Sequence, residues 1–240
     1  MLYGILSDIH GNHDALDAVL RGLERERVDA YVCLGDIVGY GPQPLECLHR
    51  VRKVADYVVG GNHDLAVADK LSIDGFNVLA REATLWTRNE LSEEDVAYLA
   101  DLPLVEHLDG LDIVHSTLCS PELFDYIQTS YDASLSMALM RSPVCFIGHS
   151  HVPIVFVQNG VISYSLESEI TVGDGSRAIV NVGSVGQPRD RDPRACCAIY
   201  DTETRTMQLR RYRYDVEAVV SKVQDAGLPI ELGARLRLGR

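Results

Sequence analysis

Five short apolar runs in this 240-residue chain each end in residues that can bind a cation or move a proton. That repetition constrains the fold more than any other feature. The runs are Ile5-Leu6-Ser7-Asp8-Ile9-His10, Val32-Cys33-Leu34-Gly35-Asp36, Tyr57-Val58-Val59-Gly60 ahead of Gly61-Asn62-His63-Asp64, Ile113-Val114-His115, and Cys145-Phe146-Ile147-Gly148-His149-Ser150-His151. Short apolar runs bounded by glycine read as buried strands. Open α/β sheets hold their ligands in the crevice beyond the carboxyl ends of the strands. Taken singly, Asp, Asn and His here are ordinary turn residues. Five strands ending alike would deliver them to one edge of a sheet.

The rest of the chain supports an α/β fold. A strand over Leu2–Ser7 is followed by a helix over about Asp14–Arg27, with Leu16, Val19, Leu20 and Leu23 on one face. A strand at Ala30–Leu34, a Gly- and Pro-rich loop through Tyr40, a helix to about Val54 and a strand at Tyr57–Val59 continue the alternation. Strands and helices alternating in this way build a parallel sheet with helices packed on it. Residues 65–100 change character and read as a helical insertion within one domain spanning 1–240. Ser92-Glu93-Glu94-Asp95 opens its last helix in capping-box fashion. Strands then dominate: Asp109-Gly110 and Asn159-Gly160 mark two hairpins. A helix is expected at Asp132–Met140 and another at Asp215–Gln224, and the end of the chain, with Arg235, Arg237 and Arg240, reads as a basic surface tail.

Composition narrows the function classes. A net charge of −13 argues against a non-specific binder of double-stranded nucleic acid, whose affinity comes from neutralising phosphates. The six cysteines show no zinc spacing and read as reduced core residues of a cytoplasmic protein. No apolar run is long enough to span a bilayer, so no membrane partner is expected.

The candidate ligands are Asp8, His10, Asp36, Asn62, His115, His149 and His151. Seven groups exceed what one tetrahedral zinc needs. They suit two octahedral-like cations if one carboxylate bridges them and water completes the shells. Mixed imidazole and oxygen ligands without thiolate favour Mn, Fe, Co, Ni or Zn. Two such ions about 3.5–4 Å apart can clamp a phosphate and generate a hydroxide near neutral pH.

In order and spacing these motifs resemble the calcineurin-like metallophosphoesterase family. The similarity rests on Asp8-x-His10, Gly35-Asp36, Gly61-Asn62-His63-Asp64, His115 and Gly148-His149-Ser150-His151. The opening Asp8-Ile9-His10-Gly11-Asn12 and the late Asn181-Val182-Gly183-Ser184-Val185-Gly186-Gln187-Pro188-Arg189 look most like its small bacterial and archaeal phosphodiesterase branch. The resemblance implies a four-layer αββα sandwich. It implies that Asp8, His10, Asp36 and His151 hold one metal, manganese before the others, and that Asp36, Asn62, His115 and His149 hold a second. Asp36 would be the bridge. It further implies hydrolysis of phosphodiesters, with phosphomonoesters as an additional class, by a metal-bound hydroxide, with His63 protonating the leaving group and Asp64 orienting His63.

Substrate contacts are less constrained. Asn12 sits where it could donate to phosphate beside backbone N–H groups at a helix start. Arg189 could hold phosphate, or belong to the self-paired run Arg189-Asp190-Arg191-Asp192. Tyr40 could stack on a nucleobase or pack its own turn, and His13 could line the pocket or sit part-exposed at a helix start. A small phosphate ester or nucleotide is the expected substrate, with phosphoprotein and dinucleoside polyphosphates as alternatives. Some relatives of this fold, such as the retromer scaffold subunit, have lost catalytic residues and serve as binding surfaces. The presence here of Asn62, His63 and all seven ligands favours an enzyme. The sequence carries no signal for oligomeric state.

Overall fold

The computed structural model describes residues 1–240. It opens with β1 (Leu2–Leu6), α1 (His13–Glu26), β2 (Ala30–Cys33), α2 (Pro44–Val54) and β3 (Tyr57–Val58). Helices α3 (Asn62–Val67), α4 (Val78–Glu90) and α5 (Glu93–Ala100) follow, then the hairpin β4 (Val105–Leu108) and β5 (Leu111–Val114). After a 3₁₀ turn at Pro121–Leu123 come α6 (Ser130–Met137) and β6 (Val144–Ile147). The hairpin β7 (Ile154–Asn159) and β8 (Val161–Ser165) leads to β9 (Glu169–Thr171), β10 (Arg177–Asn181), β11 (Ala195–Asp201) and β12 (Thr206–Tyr212). Helices α7 (Val216–Asp225) and α8 (Ile230–Leu238) close the chain.

Two six-stranded sheets result, ordered β3-β2-β1-β11-β12-β9 and β4-β5-β6-β10-β7-β8. Within them β1, β2 and β3 run parallel to one another, as do β5, β6 and β10. Strand periodicity explains the layering, because successive side chains point to opposite faces. Ile5, Val32 and Ala198 are in register across the first sheet, and Ile113, Phe146, Val180 and Val155 across the second. All of them share one buried cluster, which fills the space between the sheets. The alternating neighbours Leu6, Cys33, Cys197 and Ile199 face outward, where Leu16, Val19, Leu20 and Leu23 of α1 and Leu48 and Val51 of α2 cover them. On the far side Cys145, Ile147 and Ile179 meet Ala133 and Met137 of α6. Helix, sheet, sheet and helix are thus four layers, the αββα architecture. Each fully buried Leu or Ile contributes about 1.5–3 kcal/mol.

All six cysteines are unpaired, and Cys33, Cys47, Cys145, Cys196 and Cys197 are buried. Two readings of the sequence need correction. Glu169–Thr171 pairs with β12 as a short strand that the sequence pattern does not announce. The basic tail is a helix, α8. Its Leu232 and Leu236 are buried one turn apart, and Leu232 packs with Val223, Leu228 and Tyr40. The arginines masked this short apolar stripe. Arg237 forms a two-armed pair with Glu217 of α7, both contacts 2.7 Å.

Candidate metal centre and adjoining cleft

The two central strand triplets end at one edge, and their loops are tied together by main-chain hydrogen bonds. The amides of Asp8, His10 and Gly11 donate to the carbonyls of Gly35, Asp36 and Ile37. The amide of Gly148 donates to His115 and that of Gly186 to Asp8, so the third and fourth loops are anchored to the same framework. Six residues here have left-handed backbone: Asp8 (φ 52°), His10 (48°), Asp36 (52°), Tyr40 (58°), His149 (66°) and His151 (59°). Such conformations cost on the order of 1–3 kcal/mol each in non-glycine residues and persist where the surrounding structure enforces them, here through the main-chain bonds between the loops. They turn the side chains back over the strand ends. Gly61 permits a close approach: a Cβ there would overlap the backbone and carboxylate of Asp36.

Asp8, His10, Asp36 and His151 present one group of ligand atoms, and Asp36, His115 and His149 a second, each within 4.8 Å. Asp36 belongs to both. Its Oδ2 lies 3.5 Å from His10 Nε2 and 3.4 Å from His115 Nε2. Asn62, whose Oδ1 is buried without a hydrogen-bond partner, lines the cleft alongside Asp36 and His149.

The imidazoles are set for cations. Nδ1 of His10, His115 and His151 faces the carbonyl of Val38 (3.1 Å), Leu34 (2.7 Å) and Gln187 (2.6 Å) respectively. A carbonyl only accepts, so each Nδ1 carries a proton and each Nε2 is the atom that could serve a metal. His10 Nε2 and His151 Nε2 stand 3.1 Å apart. Burial pushes both imidazoles below their usual pKa, so two lone pairs face each other, an arrangement that a shared cation relieves. Burial opposes charge on His115 too, but the Asp36 and Asp8 carboxylates hold its pKa up at about 9. Burial likewise opposes the Asp8 and Asp36 charges, and the surrounding imidazoles overcome it, leaving both carboxyls below the usual range. Two buried anions that draw positive charge inward, and an orphaned amide oxygen, fit a site for divalent cations.

His63 is 5% exposed and its Nδ1 has no partner. Burial pushes its pKa down to about 4, although the Asp36 charge pulls the other way. The expectation that Asp64 orients this ring is corrected. The Asp64 carboxylate accepts from the amides of Ile37 (2.9 Å), Val38 (3.2 Å) and Gly61 (3.1 Å) instead. At position N3 of α3 its side chain turns back to the helix start, as carboxylates there do. Asp64 therefore ties the Asp36 loop to the Asn62 loop and leaves the imidazole to the cleft.

That cleft has a volume of about 350 Å³, and Asp36, Asn62, His63, His149 and His151 form its floor. Arg189 enters it as a candidate anion contact. Its Nε is buried without a partner and one terminal nitrogen donates to Gln187 Oε1 at 2.9 Å. The adjacent charges are engaged elsewhere, Asp190 with Arg211 and Asp192 with Arg194. Asn12 is committed differently. Its oxygen caps α1 through the Ala15 amide (3.1 Å), and its nitrogen donates to the Gly186 carbonyl (2.9 Å). It lies outside the main cleft. Tyr40 is 5% exposed and packed by Ala80, Ala83 and Leu232, with His10 against its ring edge-to-face, so no open face is left for a base. His13 is part-exposed on α1 near Asp17, while His49 and His107 pair with Asp95 and Asp112. The sequence reading missed the apolar wall formed by Leu71, Phe76, Leu123, Phe124 and Tyr126. Its one legible signal was the aromatic pair Phe124-Asp125-Tyr126 in a non-periodic loop shortly after His115. Arg235, read from the sequence as part of a surface tail, is half-buried, and burial and then the nearby Arg189 charge lower its pKa.

With two sheets flanked by helices and a buried Asp/His cluster at the strand ends, the chain belongs to the calcineurin-like phosphoesterase superfamily, whose domain profile matches residues 1–205. The crystal structure of a metallophosphoesterase from Sphaerobacter thermophilus superimposes with a TM-score of 0.88 at 38% identity, over 100% of this chain and 99% of that one. An uncharacterized protein of Methanocaldococcus jannaschii is 35% identical over 243 residues, covering 100% of this chain and 98% of its own length. A symmetrical bis(5'-nucleosyl)-tetraphosphatase of Aromatoleum aromaticum is 37% identical over 89 residues, only 35% of this chain and 32% of that protein. No helix is long and apolar enough to cross a membrane.

Proposed function

We propose that this chain is a single-domain phosphoesterase that works with two divalent transition-metal ions, manganese foremost, and hydrolyses phosphodiester bonds in small esters or nucleotides. The observation that carries the reading is the double membership of Asp36, whose Oδ2 stands equally near an imidazole from each ligand group. Asp8, His10, Asp36 and His151 would hold one ion, and Asp36, Asn62, His115 and His149 the other. Bound ions would supply Lewis-acid polarisation of a phosphoryl oxygen and activation of water near neutral pH. The chain's own residues do the rest. Arg189 presents an unpaired guanidinium N–H to a phosphate oxygen. Its desolvated Nε makes that contact stronger than it would be in water. His63, unpartnered at the cleft floor, donates a proton to the leaving oxygen once an anionic ester beside it restores the imidazolium that burial disfavours. Asp64 acts at one remove, fixing the loops that carry Asp36 and Asn62. Six unpaired cysteines suit a reducing compartment such as the cytoplasm. The local match to tetraphosphatases favours a second reading, in which a phosphoanhydride of a dinucleoside polyphosphate is cleaved by the same groups.

Manganese-reconstituted protein should contain close to two equivalents of metal and turn over a chromogenic phosphodiester. A panel of diesters, monoesters, dinucleoside polyphosphates and phosphopeptides then ranks the substrates. A tight plateau at one equivalent would break the bridging role of Asp36.

Metal removal should also show in stability. The ligands come from five loops that converge only in the folded chain, so cations bind the folded state preferentially. At free metal ~100 times Kd this is worth about 2.7 kcal/mol per site. For a chain of this size the melting temperature should fall by roughly 5–10 °C per site on chelation. An unchanged melting curve after verified removal would count against the centre.

A further inference from the structure

Of the aromatic residues that line the cleft, Tyr126 alone is exposed, and one face of its ring is covered. Its ring stacks on His149, with centroids 4.1 Å apart and planes 17° from parallel. Tyr126 is nevertheless 47% exposed and lines the cleft. The helical insertion adds Leu71 and half-buried Phe76 to the lining, the Phe76 ring centroid 5.0 Å from that of His63. Apolar and aromatic side chains lining the same cleft as the polar cluster make an environment in which a planar ring attached to a phosphate would lie.

We infer that the cleft takes the base of a nucleotide ester, with Tyr126 as the residue that stacks on it; this rests on the phosphoesterase reading and names its substrate class. A phosphate held over the ligand groups and Arg189 leaves its organic part along these side chains. A flat π-surface recognises every base, so stacking sets the class of substrate without selecting one base. The cleft's volume of about 350 Å³ falls in the small-molecule range, roughly 300–1,000 Å³. A net charge of −13 disfavours association with long polyanions. Tyr40, the residue that the sequence offered for stacking, is closed off by α4 and α8. The other planar ester, an aryl phosphate such as phosphotyrosine, bonds its ring directly to the phosphate oxygen, without the ribose that separates base from phosphate.

The test is calorimetric titration of manganese-loaded full-length protein with AMP, ribose 5-phosphate and phenyl phosphate. AMP should bind about tenfold more tightly than ribose 5-phosphate. Tyr126→Leu should abolish that difference and leave ribose 5-phosphate affinity and metal content unchanged. Tyr126→Phe should keep the difference, since the ring and not the hydroxyl makes the contact. Equal binding of AMP and ribose 5-phosphate to the wild type overturns the inference. So does a Tyr126→Leu variant that weakens both ligands alike, because Tyr126 would then act through His149 on the phosphate. A loss confined to phenyl phosphate overturns it in favour of aryl esters. Failure of the phosphoesterase reading looks different: no ester is turned over, while the preference for AMP and its loss in Tyr126→Leu remain.

Discussion

Asp36→Asn should lose both metals and all activity above background, the largest effect of any single substitution in this chain. The two carboxylate oxygens have separate duties. Oδ1 accepts the His63 amide at 2.8 Å, and Oδ2 faces His10 and His115. An asparagine cannot serve both. With its oxygen toward His63 N–H, its NH₂ group confronts the two ligand imidazoles; flipped, the NH₂ group confronts the His63 N–H. Either way the negative charge that attracts a cation is gone. The metal-free state suffers too, because breaking a buried charged pair by removing one partner costs about 3–5 kcal/mol. The sign of the pH dependence follows from the Asp36 pKa, which lies well below its ordinary value once the imidazoles outweigh burial. Stability from a depressed carboxyl is fully present above its unfolded pKa of about 3.9 and is lost as pH falls through the folded value. The variant should therefore melt lower than chelated wild type at pH 7, and the difference should close in strong acid. Elemental analysis and paired melting curves check this. Retention of two equivalents of metal in Asp36→Asn would remove the bridge from the proposal.

Much of this architecture was legible because the physics is local. A strand buried on both faces is largely apolar, so β1, β2 and β6 stood out as short runs, as did Ile113-Val114 of β5 beside the buried Asp112, and their ends pointed to the site. Capping chemistry at Ser92 and Asp95 and the two Gly-containing hairpins were equally local. What stayed hidden depends on partners far away in sequence. Helix α8 is defined by Leu232 meeting Tyr40 and Val223, long-range contacts that a short stretch with interspersed arginines does not advertise. Strand β9 is three residues long and exists because β12 offers it an edge. Asp64 looked like the partner of its neighbour His63, yet its position in α3 turns it toward amides at Ile37 and Val38. Adjacent residues at a helix start point in different directions, and sequence adjacency misled for that reason. Asn12 likewise has the composition of a phosphate ligand and the geometry of a helix cap.

His63→Ala should keep both metals and lose on the order of 10²–10⁴ in kcat, in proportion to how badly the leaving group needs a proton. The ring is separate from the ligand groups, yet the His63 main chain is held by Asp36, so alanine preserves the amide contact and removes only the imidazole. Its immediate surroundings explain why the outcome is discriminating. With Nδ1 unpartnered, Tyr40 and His10 against the ring at centroid distances of 4.5 and 4.9 Å, and burial lowering its pKa to about 4, the imidazole of the free enzyme is neutral at pH 7. A neutral ring can hydrogen-bond a phosphate oxygen. To act as a general acid it must first be charged by the ester's negative oxygens. The two roles separate across a series of leaving groups. For p-nitrophenolate, which departs without protonation, the acid role predicts a small loss in His63→Ala. For an alkoxide such as a ribose hydroxyl it predicts the full loss, and the plot of log kcat against leaving-group pKa should steepen in the variant. A loss that is the same for every leaving group, with metal content intact, would assign His63 to holding phosphate in place and leave the proton to be supplied by solvent.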